Sequence, residues 1–179
     1  MSQGSGRYQR SAAGMVGAMI VTLLVIIVFV AFRAVNRDEL IVRPEAVDYL
    51  QTVEALQQGD DLDPVYPPTL PEGWIARRAV FSAEHLAWEL DILTDDEKYI
   101  GLRQAVMPEQ DLIEEYVDEE GEPEGSTGLG GTMNLEWEGW KVDGDDTAFT
   151  TKIDGATVLV FGSAPAAEVK AFAASLVVD

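Results

Sequence analysis

Cysteine is missing altogether from this 179-residue chain. Its absence removes a disulfide scaffold, a thiolate zinc site, an iron–sulfur cluster and a cysteine nucleophile together. Histidine occurs once, as His85. A serine triad would have to use it, and although Ser82 lies just upstream, no Gly-x-Ser-x-Gly elbow accompanies the pair. Metal chemistry built on several imidazoles or thiolates cannot be supplied, and no cofactor is expected. Positive charge is scarce as well: 12 Lys and Arg stand against 32 Asp and Glu, a formal net charge of -20. Nucleic acid and anionic lipid surfaces are disfavoured as main partners, because like charge repels both.

What is present is concentrated first in one run. Residues 12–32 carry no charge and a single hydroxyl, that of Thr22. At about 1.5 Å per residue the run spans roughly 31 Å, close to the hydrocarbon thickness of a bilayer. Arg7 and Arg10 precede it and Arg33 and Arg37 follow, where long cationic stems reach headgroups. A cleaved signal peptide is the rival, but its apolar region is normally shorter and ends in a small-x-small site. Phe32-Arg33-Ala34-Val35-Asn36 lacks that pattern. The expectation is an uncleaved single-pass anchor whose partner is the lipid bilayer. The short-range Lys and Arg count does not favour a cytoplasmic N-terminus. The tail of residues 1–11 is nevertheless basic and free of acid, whereas all 32 acids lie at Asp38 or beyond. The tail is expected in the cytoplasm and the acidic remainder outside the cell membrane.

Residues 33–72 read as a juxtamembrane helix and a linker. Val47, Leu50, Val53 and Leu56 recur every three residues and predict a short amphipathic helix over 45–58, ended by Gly59. Four prolines from Pro64 to Pro71 predict an extended spacer, with a Pro-rich recognition motif as the alternative. The globular domain is expected over 73–179. Leu86, Trp88, Leu90 and Ile92 alternate as in a half-buried strand, and residues 99–106 read as the next. Pro108 opens a helix with Leu112, Ile113, Tyr116 and Val117 on one face. Seven of the twelve residues 114–125 are acidic and residues 125–131 hold four glycines, which predicts a self-repelling loop. Met133, Leu135 and Trp137 resume the strand pattern. Asp154-Gly155 predicts a two-residue hairpin, and the wholly apolar residues 156–161 a central strand. Pro165 opens a last helix with Val169, Phe172, Ala173, Leu176 and Val177 on its buried face. Strands then helix, twice, predict an α+β domain: an antiparallel sheet covered on one face by helices, with a βββα unit used in duplicate.

Certain residues are also familiar. The tail Arg7-x-x-Arg10-Ser11, one membrane span, Leu70-Pro71-Glu72-Gly73-Trp74, Ala87-Trp88-Glu89-Leu90, and Val160-Phe161-Gly162-Ser163 before Leu176 are the resembling stretches. Together they resemble the actinobacterial single-pass membrane proteins classed as domain of unknown function 4245. The resemblance implies a bacterial cell-membrane protein with its domain outside, and brings no catalytic residues with it. The ending is also similar, at the level of fold, to lipoprotein-like sensor domains that accompany anti-sigma factors.

Residues with chemical potential are few. Asp143, Asp145 and Asp146 form the best hard-cation candidate, since oxygen-rich turns suit calcium, yet they miss the EF-hand spacing of Gly and Glu. A solvated turn is the plainer interpretation. The glycines at 125–131 lack the preceding strand and following Lys-Ser/Thr of a phosphate loop. Of the tryptophans, Trp74, Trp88 and Trp137 are expected in the core, whereas Trp140 is the candidate for exposure and ligand stacking. Carboxylates are too numerous for any pair to be diagnostic. The expected function is a membrane-tethered, non-catalytic binding or interaction domain, its partner an envelope protein or a small molecule. The alternative is an extracytoplasmic carboxylate-based hydrolase acting on an envelope glycan.

Overall fold

The computed structural model describes residues 12–35, 45–59, 62–82 and 84–178. The basic tail and the membrane-proximal part of the expected linker, 36–44, lie outside the described residues. The chain divides into two compact units, Met1–Arg43 and Pro44–Asp179. In the first, helix α1 runs over Ala12–Val35, and the stretch Gly14–Arg33 within it is long and apolar enough to cross a membrane.

The second unit is a seven-stranded antiparallel sheet with three helices. In chain order its elements are α2 (Tyr49–Gln57), β1 (Ile75–Ser82), β2 (Ala87–Leu93), β3 (Tyr99–Ala105) and α3 (Glu109–Tyr116), then β4 (Glu122–Gly128), β5 (Glu136–Lys141), β6 (Thr147–Ile153), β7 (Ala156–Gly162) and α4 (Ala166–Ser175). The strand order is β1-β2-β3-β7-β6-β5-β4, so two meanders meet edge to edge where β3 pairs with β7. The apolar β7 lies in the middle, as its composition predicts, and every one of its residues is buried. Asp154 and Gly155 turn the chain from β6 into β7 with φ of 50° and 87°, the paired positive values that a tight hairpin requires.

Helices lie on both faces of the sheet, which corrects the expectation of one covered face. Val158 and Val160 of β7 pack in a cluster with Tyr49 and Val53 of α2 and Val169 and Phe172 of α4. Leu159 and Phe161 point the other way, into a cluster with Leu112 and Ile113 of α3. The period of two in a strand allows this division: a strand apolar on both faces needs a cover on each. The duplication is correspondingly loose. The second half contributes four strands rather than three, and its helix takes the opposite face.

Three segments depart from their sequence patterns. The proline stretch is no spacer. Val65 is wholly buried, its amide donates to Gln104 Oε1 at 2.7 Å, and its carbonyl accepts from Trp88 Nε1 at 2.9 Å. Tyr66 exchanges backbone hydrogen bonds with Val177 at 3.0 and 2.9 Å, so Val177 belongs to a bridge rather than to the last helix. Proline removes donors, but the amides that remain find partners on the core, and the segment becomes part of it. The expected helix starts later, at Tyr49, with Asp48 accepting from the Gln51 amide as its cap. Tyr49, Val53 and Leu56 face inward, while Val47 and Leu50 are exposed. Finally, the acidic and glycine-rich stretch expected as a loop supplies β4. It is an edge strand paired with β5, and its carboxylates remain in water, where their repulsion is screened. Leu86, placed in a strand by its alternation, instead precedes β2 at φ 48° and is 63% exposed.

Candidate functional site

Two places in the second unit gather polar side chains against the sheet. The first is a row of charges under the C-terminal end of α3. Alternation puts Glu89 and Asp91 of β2 on the face away from Trp88, Leu90 and Ile92, where a sequence reading leaves them in solvent. Arg78 of β1 and Arg103 of β3 flank them in register: Arg78 opposite Asp91, and Arg103 opposite Glu89. The ion pairs run diagonally, Arg78 with Glu89 and Arg103 with Asp91, the latter at 2.7 Å. Glu89 is only 4% exposed and Arg103 only 5%.

Two tyrosines complete the row. Tyr99 donates its hydroxyl to Asp91 Oδ1 at 2.8 Å and accepts from Arg103 Nη2 at 3.1 Å. Burial pushes its phenol up to about 12; the Arg103 charge opposes the rise and the Asp91 carboxylate adds to it. Tyr116, at the end of α3, donates to Glu89 Oε1 at 3.2 Å, and burial followed by the Glu89 charge pushes it up to about 12 as well. The Arg103 guanidinium lies 5.0 Å from the Tyr116 ring centroid and 5.4 Å from that of Phe161, a cation held between two aromatic faces. Burial disfavours its charge, but Tyr99 and Asp91 outweigh that and raise its pKa. Its Nη1 donates to the carbonyls of Leu90 and Leu102, and only Nε is buried without a hydrogen-bond partner. These charges are spent on one another and on holding α3 down.

This row is absent from the expectations drawn from sequence. The signal was available: two acids on β2, with Arg103 facing Glu89 across the hairpin at 94–98 and Arg78 facing Asp91 from β1. His85, the lone histidine, sits at its margin with its ring edge toward Tyr116, centroids 6.3 Å apart.

The second place is a cleft of about 400 Å³ between β4, β5, β6 and the start of α4. Its floor is a cross-strand row, Gly125 opposite Gly139 and Gly139 opposite Phe149. Lys141 and Lys170 stand at its sides, the Lys170 ammonium 5.6 Å from the Phe149 ring centroid. Among the described residues neither lysine has an ion-pair partner.

Trp140 lines this cleft but is not the exposed platform expected of it. It is 7% exposed, and its Nε1 donates to Thr150 Oγ1 at 2.8 Å in the cluster beneath α3. The expectation failed because it counted one covered face where there are two. Trp88 and Trp137 are buried as expected, and Trp74 stacks on Phe172 with centroids 6.5 Å apart. Asp143, Asp145 and Asp146 are all exposed in the turn between β5 and β6. The Asp143 amide donates to Asp118, whose carboxylate also accepts from the Glu120 amide; these bonds hold its pKa below the usual range. No three His, Asp or Glu side chains converge as a metal-ligand set among the described residues, so this turn does not assemble one.

The chain belongs to the family described as protein of unknown function DUF4245, whose match covers residues 7–176, both units together. No curated protein and no solved structure matches it.

Proposed function

We propose that this DUF4245 member is a single-pass membrane protein of an actinobacterial cell, displaying a non-catalytic binding domain on the outside. Helix α1 supports the anchor by its length and apolar surface, and the basic, acid-free tail supports a cytoplasmic N-terminus. One contrast carries the binding role. Arg78, Glu89, Asp91 and Arg103, of which Glu89 and Arg103 are buried, are paired with each other, whereas among the described residues Lys141 and Lys170 beside the open cleft take part in no ion pair. Charge left unpaired at a concavity is available to a ligand. A carboxylate hydrolase draws less support: Glu89 and Asp91 are both engaged by arginine and lie away from the cleft, and the two carboxylates that border it, Glu124 and Asp146, are exposed to water on its rim.

The test has two readouts. Protease added to intact spheroplasts should digest the domain and spare the N-terminal tail; protection of the domain would reverse the orientation. The full chain in detergent should bind soluble envelope fragments without turning them over. Catalytic release of product from a cell-wall glycan would replace the binding role with the hydrolase.

A further inference from the structure

We propose that the cleft between β4, β5, β6 and α4 takes an acidic sugar, a ring carrying one carboxylate, with Lys141 and Lys170 holding the anionic group. The inference rests on the binding role and supplies its ligand class.

Shape comes first. Gly125, Gly139 and Phe149 are register partners in sequence across three strands, so two side chains are missing side by side next to an aromatic ring. Packing does not demand the second absence. A Cβ at Gly139 would sit 3.6 Å from the Gly125 carbonyl oxygen and 3.8 Å from the Phe149 ring, ordinary contacts, and the position lacks a positive φ. Glycine inside a strand weakens it, and such a position commonly marks where something else approaches the backbone closely. What it leaves here is a trough about 400 Å³ in volume, within the roughly 300–1,000 Å³ of small-molecule sites.

Charge decides the class of ligand. In a chain with 12 basic and 32 acidic residues, two lysines that take part in no ion pair among the described residues border the same trough. Glu124 and Asp146 are also at its rim, so a polyanion such as a nucleotide is repelled while a single negative charge is accommodated. Those same rim carboxylates, with the Thr127 hydroxyl, accept hydrogen bonds from hydroxyl groups. Anion for the lysines, hydroxyls for the rim and an apolar C–H face for the glycine and Phe149 floor describe a uronic-acid-like sugar.

The experiment is calorimetric titration of the full chain in detergent micelles with glucuronic acid, and with glucose as the neutral control. Glucuronic acid should bind saturably and at least tenfold tighter than glucose. The double variant Lys141→Met, Lys170→Met should erase that preference. Gly139→Ala, which the fold has room for, should weaken glucuronic acid several-fold without lowering the melting temperature by more than a few degrees. Equal binding of the two sugars with the lysine variant silent would overturn the acidic-sugar class while leaving the binding role intact. Absence of saturable glucuronic acid binding, or binding indifferent to Gly139→Ala, would overturn the site. Hydrolysis of an aryl glucuronide by the native chain would instead overturn the non-catalytic role and leave the anion site standing.

Discussion

Gln104 holds Val65 by its backbone. Its Oε1 accepts the Val65 amide at 2.7 Å while its Nε2 donates to the Asp63 carbonyl at 2.9 Å, so one buried amide side chain replaces a missing strand partner. The stretch around the prolines thereby closes one edge of the core. Gln104→Leu keeps the volume but strands the buried Val65 amide, at a cost of about 1–3 kcal/mol, whereas the carbonyl of exposed Asp63 can turn to water. Urea denaturation of the domain should register that loss, and a midpoint unmoved by the substitution would mean the stretch is held by apolar contacts alone.

Arg103 is the other keystone. Arg103→Met would leave Asp91 and Tyr99 without their guanidinium and remove the cation beneath Tyr116. Breaking a buried pair by deleting one partner costs about 3–5 kcal/mol, and the lower end applies because Asp91 is partly exposed. Restoring neutrality with Asp91→Asn in the same chain should recover part of the loss, which a double-mutant cycle measures.

Alkali should loosen α3. Tyr99 and Tyr116 titrate near 12 in the fold against an ordinary 10. A pKa raised by folding contributes stability that is complete below the unfolded value and disappears as pH climbs through the folded one. The denaturation midpoint should therefore hold up to about pH 10 and fall between pH 10 and 12. Tyrosinate absorbance should show these two phenols ionising late, and Tyr116→Phe should remove one of them and flatten the fall.

Salt should stabilise the domain. All 32 acids lie in the part of the chain after α1, and only three ion pairs occur among the described residues. Raising ionic strength from 0.01 to 0.1 M shortens the Debye length from about 30 to about 10 Å, which weakens repulsion across the surface. The melting temperature should rise over that interval; a flat or falling trace would show the charge already dispersed.

Phe172→Ala should be among the most damaging single changes. The ring is buried between α4 and the sheet and stacks on Trp74, so its deletion should cost about 3–5 kcal/mol in unfolding free energy. His85→Ala, by contrast, should cost no more than about 0.5–1.5 kcal/mol, the worth of its edge contact with Tyr116.

Much of the fold was legible because it is local. The central β7, the turn at Asp154-Gly155 and the two Pro-opened helices each follow from a handful of adjacent residues. The edge strand β4 was not legible, since its only reason to be extended is the ladder it makes with β5. The buried row at Glu89 and Arg103 escaped for a related reason. Alternation says which residues share a face, but burial of charge depends on whether a helix from elsewhere in the chain covers that face.

By itself the sequence determined one apolar span, an acidic α+β domain and a lack of cysteine or histidine chemistry. Composition and short-range periodicity suffice for these. Tertiary structure alone decided that α3 and α4 take opposite faces, that Trp140 is buried, and that Gly125, Gly139 and Phe149 line up beside Lys141 and Lys170. Each of those depends on strand register and on connections across the sheet, distances set by packing between residues far apart in the chain.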